Sequence, residues 1–264
     1  MMTGYFDESY NNRTILCGGW ITTDQQWDRI IPAWKSRIAY ENRVSEKHGL
    51  KPITRYHGAD CASCLGEFKG WSVARQIRFV QRLQDIMIGD SGSTKVRKSQ
   101  KPMVIGWGVS LDEARILIPD ANKQSLRDFC YRLCVGECLK EIGRVMEKCY
   151  PKERITFFHD RGDLTNAAAA AFNDVMDRQE CKGRFVTMAP MGWEDCIPLQ
   201  SADMIAHDLF KLMDKRLLGA EQIRRSLRRI VGAETPIVAG CLKPGAFQQM
   251  KTWYDADVAA GKIL

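Results

Sequence analysis

The sequence predicts an α/β domain built on a mixed five-stranded β-sheet with helices on both of its faces. Three strand-like segments lie in the first half of the chain, and the first two are joined by a turn short enough for an antiparallel hairpin. Strand-like and helical patterns then alternate, which is the order expected when helices cover a sheet that contains parallel strands. The 264 residues are enough for one such domain with a sizeable insertion and a buried core.

The composition is that of an ordinary soluble globular protein, with 45% hydrophobic and 27% charged residues. No apolar run approaches the length of a membrane span, and the N-terminus lacks a basic-then-apolar signal. The ten cysteines are scattered and read as reduced thiols, so we expect a cytoplasmic protein without a membrane segment. The net charge of +7 is compatible with a polyanionic partner.

A hairpin and a long insertion make up the first part of the chain. The predicted segments here are strands at 2–9 and 14–22 and a helical insertion over 24–102. Gly18 and Gly19 inside the second strand indicate a bulge or a close approach of another backbone. We expect Pro32 to break or restart the first helix of the insertion, and Ser72 to cap a second helix after an irregular polar loop.

Helices and strands alternate in the rest of the chain. The predicted segments are a strand at 103–109, a helix at 123–148, a strand at 154–159, an alanine-rich helix reaching about 178, a strand at 184–189 and a helix from Pro198. Residues 216–264 form a basic helical C-terminal extension that becomes irregular after Gly232. This is the element order of the ribonuclease H-like fold, and we expect a single domain of that kind over residues 1–264.

Three aspartates occupy positions that this order of elements would bring together. Asp7 ends the first strand and Asp160 ends the fourth, so parallel pairing of these strands would place both carboxylates at one edge of the sheet. Asp203 lies on the last main helix, where Gln200 and His207 share its face. The apolar residues around Asp203 favour a functional role over a solvent-facing one. We therefore predict that all three aspartates are catalytic and bind metal.

Glu137 is a further candidate because it falls on the apolar stripe of the longest predicted helix. A carboxylate on a core-facing stripe needs a cation, a donor or a proton. Two interpretations stay open: Glu137 is a fourth ligand or positions the attacking water, or it forms a salt bridge with a nearby arginine. Glu141, one turn later, would replace it if the helix were rotated.

Carboxylate oxygens around one point suit Mg²⁺ or Mn²⁺, which prefer oxygen ligands. Two such ions can activate water and stabilise the leaving oxygen in phosphodiester cleavage. The spacing of His57, Cys61 and Cys64 could suit zinc, but the second pair of ligands is missing, so zinc is disfavoured. His57 and Asp60 are either a pair that reaches the active site or part of a plain structural loop. The cysteines Cys130, Cys134 and Cys138 follow a helical period, which indicates core packing.

Three stretches of the chain resemble the domain-of-unknown-function-3800 family. They are Tyr5-Phe6-Asp7-Glu8-Ser9, Phe158-His159-Asp160-Arg161 and Leu199-Gln200-Ser201-Ala202-Asp203-Met204-Ile205-Ala206. That family is regarded as having a ribonuclease H-like fold and as a presumed metal-dependent nuclease, and the resemblance runs from the N-terminus to about residue 215. It implies functional roles for Asp7, Asp160 and Asp203. It also includes Glu8, which should point away from Asp7 in a regular strand.

Two basic clusters are candidates for contact with phosphate backbones. The first is Lys95, Arg97 and Lys98, and the second is Arg224, Arg225 and Arg228 on one face of a late helix, together with Arg229. The predicted function is divalent-metal-dependent hydrolysis of phosphodiester bonds in DNA or RNA. Two alternatives are a catalytically inactive nucleic-acid-binding module and a metal-dependent hydrolase of small phosphate esters.

Overall fold

The computed structural model describes residues 1–89, 101–177, 181, 183–217, 223–242, 252, 254–256 and 258–259. Its strands are β1 (Met2–Tyr10), β2 (Thr14–Thr23), β3 (Met103–Ser110), β4 (Ile155–Asp160), β5 (Phe185–Met191) and β6 (Ile237–Cys241). Its helices are α1 (Asp24–Lys47), α2 (Gly58–Ser63), α3 (Val73–Ile88), α4 (Leu111–Leu117), α5 (Lys123–Cys149), α6 (Thr165–Asp177), α7 (Ile197–Leu217) and α8 (Arg225–Gly232).

The strands form one mixed sheet in the order β5-β4-β1-β2-β3-β6. β1 and β2 form an antiparallel hairpin, β2 pairs antiparallel with β3, and the pairs β1–β4, β4–β5 and β3–β6 are parallel. The predicted α/β sheet flanked by helices is confirmed, but the prediction of five strands is wrong because β6 adds a sixth. β6 has only five residues, all partly or fully exposed, and it pairs with β3 at the edge of the sheet.

The insertion between β2 and β3 contains two long helices, α1 and α3, joined by a segment with the short helix α2. Pro32 lies inside α1 without ending it, which corrects the predicted break. Burial of Trp27, Ile30 and Trp34 on one side of α1 outweighs the hydrogen bond that Pro32 removes. Ser72 caps α3 as predicted, because its side chain accepts a hydrogen bond from the backbone of Arg75.

Two hydrophobic cores lie on opposite faces of the sheet. The helices α4, α5 and α6 cover one face, where Phe6, Ile15 and Phe157 are buried. Helix α7 and the insertion cover the other face, where Trp20 and Trp34 are buried. Cys130, Cys134 and Cys138 lie in the first core, so the prediction that they serve packing is confirmed.

Glycine at position 18 lets α7 lie directly on the sheet. A Cβ atom at Gly18 would be 2.8 Å from the Ala206 Cα atom, which is closer than real Cβ contacts. The close backbone approach predicted for Gly18 is therefore confirmed, and it places the middle of α7 beside β1 and β2. Among the described residues, no helix has the length and apolar character needed to cross a bilayer.

Candidate functional site

A cavity of about 300 Å³ opens where β1 and β4 end, between α7 and the insertion. Asp7, Asp160 and Asp203 all line this cavity, as the order of elements predicts. The β1–β4 pairing is parallel, with Phe6 opposite His159, so the two strand-end aspartates reach the same edge of the sheet. The cavity is thus an acidic site built from two strands and one helix.

Asp7 is the most deeply placed carboxylate of the site. Its Oδ1 atom accepts a hydrogen bond of 2.8 Å from the backbone N–H of Glu8. Burial raises the pKa of Asp7 well above its ordinary value, and the charges of Asp203, Glu8 and Asp160 raise it further. The four carboxyl groups therefore repel one another across one cavity.

Asp203 joins α7 to the insertion. Its Oδ2 atom accepts a hydrogen bond of 2.7 Å from the backbone N–H of Gly58, the first residue of α2. A Cβ atom at Gly58 would lie 3.0 Å from both Asp203 Oδ1 and His207 Cβ, so a larger residue would push the insertion off α7. Burial raises the pKa of Asp203 to about 6, although the Gly58 hydrogen bond acts in the opposite direction.

Glu8 reaches the cavity beside residues from the opposite face of the sheet. Its Oε2 atom lies 3.8 Å from His159 Nε2, and His159 Nε2 lies 2.6 Å from the hydroxyl of Tyr131 on α5. His159 Nδ1 donates to the carbonyl oxygen of Asp160 at 2.6 Å, so in the neutral ring Nε2 accepts from Tyr131. Burial lowers the pKa of His159 to about 4, which keeps the ring neutral. Burial raises the pKa of Glu8 to about 7.

Arg55 is a cation of the site that no sequence motif indicates. It lines the cavity, and its guanidinium carbon lies 4.1 Å from the ring centroid of Trp193. Its charge opposes the increase that burial causes in the pKa values of Asp160 and Asp203. Arg55 comes from an irregular part of the insertion, where no periodic pattern marks a residue as inward-facing.

Glu137 lies away from the cavity, which corrects its predicted place on the buried stripe of α5. Its Oε1 atom accepts a hydrogen bond of 2.7 Å from Lys140 Nζ, and both side chains are partly exposed. The salt-bridge interpretation therefore fits the structure, with a lysine in place of an arginine. Glu141 similarly pairs with Arg144. Tyr131 is the residue that α5 directs toward the site instead.

Gln200 and His207 line the cavity in different ways. The Gln200 Oε1 atom accepts hydrogen bonds from Trp34 Nε1 at 3.0 Å and from the backbone N–H of Tyr56 at 2.9 Å. Gln200 thus anchors the insertion on α7. The Nε2 atom of His207 is buried without a hydrogen-bond partner in the described part of the chain, and burial lowers the pKa of this ring to about 4.

The remaining candidates of the insertion lie at the border of the site. His57 lines the cavity, and its Nδ1 atom is 3.0 Å from Asp60 Oδ2, whereas Asp60 is not among the lining residues. Cys61 is fully buried, and burial raises the pKa of its thiol to about 12. These contacts make the segment a packed part of the cavity wall.

Of the two predicted basic clusters, the structure describes the second, and none of its arginines lines the acidic cavity. Lys95, Arg97 and Lys98 lie outside the described residues. The second cluster is divided, because Arg224 pairs with Asp208 at 3.0 Å and Arg229 pairs with Asp85. Arg225 and Arg228 are exposed. Buried acids on α7 and α3 therefore pair with two of the four predicted arginines, which leaves Arg225 and Arg228 as the exposed cations of this cluster.

The acidic residues suit a hard cation by their chemistry but not by their spacing. Within the described ranges, no group of three or more His, Cys, Asp or Glu side chains is arranged to hold a metal ion. Glu8 Oε2 and Asp160 Oδ1 are nevertheless buried oxygens without a hydrogen-bond partner among the described residues. Carboxylate oxygens of this kind are typical ligands of Mg²⁺ and Mn²⁺. Three of the acidic side chains that line the cavity would have to move closer together to bind one ion.

Comparison with known proteins gives no family for this chain. No protein-family model matches it, and no curated protein matches it.

Proposed function

We propose that this chain is a divalent-metal-dependent nuclease that hydrolyses phosphodiester bonds in DNA or RNA. The observation that carries the proposal is the cavity at the ends of β1 and β4, which Asp7, Glu8, Asp160 and Asp203 line together. Keeping several carboxyl groups near one another at low exposure costs free energy unless a cation binds there. Clusters of this kind are typical of functional sites.

The same proposal includes a ribonuclease H-like fold and membership of the domain-of-unknown-function-3800 family. The order of the first five strands, β5-β4-β1-β2-β3 with β2 antiparallel, supports the fold. The positions of Asp7, Asp160 and Asp203 around one cavity support the family resemblance, because its three motifs carry these residues. We also propose a cytoplasmic protein, where the free cysteines would stay reduced.

In this mechanism, Asp7, Asp160 and Asp203 would move closer together to hold Mg²⁺ or Mn²⁺, which would supply Lewis-acid chemistry for phosphodiester hydrolysis. The backbone N–H of Gly58 orients the Asp203 carboxylate toward the cavity. The guanidinium of Arg55 offers a positive charge to the phosphate. Glu8 lines the same cavity and would accept a proton from the attacking water.

The test is a cleavage screen with single- and double-stranded DNA and RNA in the presence of Mg²⁺, Mn²⁺ or a chelator. We expect metal-dependent cleavage by the wild type, and a loss of at least about 100-fold in Asp7→Asn, because this change removes a charge that the metal requires. Asp112→Asn, an exposed aspartate on α4, is the matched control and should keep full activity. Equal cleavage by Asp7→Asn and wild type would refute the assignment.

A second candidate is a nucleic-acid-binding module without catalysis. The arrangement of the acids favours it, because no three of them in the described ranges are placed to hold one ion. This function predicts binding of nucleic acid without cleavage under every metal condition of the screen. It also predicts that Asp7→Asn binds as tightly as the wild type.

A further inference from the structure

A second and larger cavity, of about 600 Å³, lies on the insertion between α1 and α3. Four arginines line it, namely Arg37, Arg75, Arg78 and Arg82, and we call it the arginine groove. Among its described lining residues Glu41 is the only acid. The groove therefore carries an excess of positive charge, whereas the cavity with Asp7 carries an excess of negative charge. The two sites share no lining residue.

Glu41 and Arg75 form the floor of the arginine groove. Glu41 is buried, and its carboxylate accepts from Arg75 Nε at 3.0 Å and also pairs with Arg37. Arg75 donates in addition to the Ser45 hydroxyl at 2.9 Å and lies over the Trp71 ring at 3.8 Å from its centroid. Because Glu41 already pairs with Arg37 and Arg75, it does not neutralise Arg78 or Arg82.

Arg78 and Arg82 project from this floor on α3. Arg78 is exposed, and the Arg82 side chain is 67% exposed with a contact of 3.4 Å to Asp85. Asp85 also pairs with Arg229, so its charge is shared between two guanidinium groups. The two arginines lie four residues apart on one side of the helix, a spacing that places neighbouring charges within reach of consecutive phosphates.

The groove also contains donors that need an acceptor. Trp71 Nε1 and Arg37 Nε are buried and have no hydrogen-bond partner among the described residues. Trp71 is only 5% exposed, so its N–H group belongs to the wall of the groove. Both atoms are closed off from solvent, so they add donor groups behind the groove wall and do not contact a bound ligand directly.

Tyr40 adds an exposed aromatic ring to the same groove. It is 48% exposed, and Arg37 lies 4.7 Å from its ring centroid. A basic groove with an accessible aromatic ring is the arrangement by which proteins bind single-stranded nucleic acid, because bases stack on the ring while phosphates contact the cations. The bases of a duplex are stacked on one another and cannot reach such a ring.

We propose that the arginine groove binds a single-stranded segment of DNA or RNA, with phosphates on Arg78 and Arg82 and a base stacked on Tyr40. This inference rests on the proposed nuclease function and specifies that its substrate is single-stranded. The binding itself requires neither a metal nor cleavage.

The experiment measures fluorescence polarisation of labelled single-stranded DNA, single-stranded RNA and duplex DNA with full-length protein in a chelator. The variants are Arg78→Ala/Arg82→Ala and Tyr40→Ala. The matched control is Arg144→Ala, an exposed arginine on α5. Melting temperatures of all variants check that each one is folded.

We expect the double arginine variant to bind single strands at least about 10-fold more weakly and to reduce the slope of log K against log salt by about 1–2. Tyr40→Ala should weaken binding by about 5- to 100-fold, which corresponds to one lost stacking contact. Arg144→Ala should stay within about twofold of the wild type, because it lies outside the groove. Duplex DNA should bind more weakly than either single strand.

Unchanged binding in the double arginine variant would overturn the arginine groove. Unchanged binding in Tyr40→Ala, with duplex bound as tightly as single strands, would overturn the single-strand assignment. If binding depends on the groove but no metal supports cleavage, the proposed nuclease function is refuted and the role of the arginine groove in binding is supported. Metal-dependent cleavage that the groove variants do not change would support the proposed nuclease and overturn the role of the arginine groove.

Discussion

Asp7 and Glu8 are neighbours in β1 but serve different sides of the sheet, because side chains alternate along a strand. Asp7 interacts electrostatically with Asp203 on α7. Glu8 lies near His159, which Tyr131 contacts from α5. Both carboxylates still line the same cavity because they stand where the strand ends. The acidic site therefore depends on both faces of the sheet.

On the face of the sheet that α5 covers, we expect the hydroxyl of Tyr131 to stabilise the fold through its hydrogen bond with His159. Tyr131→Phe removes the donor that His159 Nε2 accepts from, and leaves that nitrogen buried without a partner. The variant should lose about 1–3 kcal/mol of unfolding free energy. Chemical denaturation measures this loss.

Tyr10→Phe is the matched control for Tyr131→Phe. Tyr10 is exposed, and the Arg127 guanidinium lies over its ring, a contact that phenylalanine keeps. This variant should stay within about 0.5 kcal/mol of the wild type. If both variants had the same stability as wild type, the hydrogen bond to His159 would contribute nothing.

At the scale of elements, α7 connects the sheet, the insertion and the site. It contacts β1 and β2 closely, it carries Asp203, and it holds the insertion through Gln200. The distance between α7 and β2 depends on the absence of a side chain at Gly18. The separation of Asp203 from Asp7 therefore depends on a residue that has no chemistry of its own.

Gly18→Ala should move α7 away from the sheet. The new Cβ atom would lie 2.8 Å from the backbone of Ala206, which cannot rotate away as a side chain could. We expect a loss of about 1–3 kcal/mol of unfolding free energy. The displacement of Asp203 should also reduce any metal-dependent cleavage by the folded protein.

Gly136→Ala is the control for this change. Gly136 lies inside α5, and a Cβ atom there meets no described atom within 4 Å. Alanine should therefore raise the unfolding free energy by about 0.5–1 kcal/mol, because glycine is the poorer helix former. Opposite signs for the two variants, measured by urea unfolding, support the close packing of α7. A stable Gly18→Ala protein would argue against it.

For the whole molecule, stability should depend on pH through two sets of buried groups with opposite effects. The pKa values of Glu8 and Asp203 are raised to about 7 and about 6, so the folded chain holds protons that the unfolded chain has released. Their stabilisation is present at low pH and is lost as pH rises through these values. The pKa values of His159 and His207 are lowered to about 4. Below about pH 6.5 these histidines bind protons more readily in the unfolded chain, so the unfolding free energy decreases as pH falls.

Glu8→Gln isolates one of these contributions. Glutamine cannot ionise, so the variant should gain stability relative to wild type as pH rises from about 5 to 8, by about 3 kcal/mol at most. Thermal or urea unfolding in a chelator at several pH values measures the difference. Glu147→Gln, an exposed change on α5, should show no such trend. A constant difference between Glu8→Gln and wild type would mean that Glu8 titrates normally.

Much of the fold could be predicted because its main elements follow local patterns. The hairpin of β1 and β2, the helices α3, α5, α6 and α7, and the strands β3 to β5 each have a clear period or cap. The three aspartates could be predicted as neighbours for the same reason, since they occupy the ends of parallel strands and one face of a helix. Each of these elements is encoded by residues close in sequence, and the order of the elements then brings the three aspartates together.

The tertiary structure alone decided which other residues join the site and which leave it. Arg55 and Tyr131 reach the cavity region through contacts between distant segments, whereas Glu137 is turned to Lys140 at the edge of α5. The strand β6 similarly depends on pairing with β3. Such features arise from long-range packing and from the rotation of a helix by a fraction of a turn. Local sequence patterns carry no information about either, because they describe only how neighbouring residues are arranged.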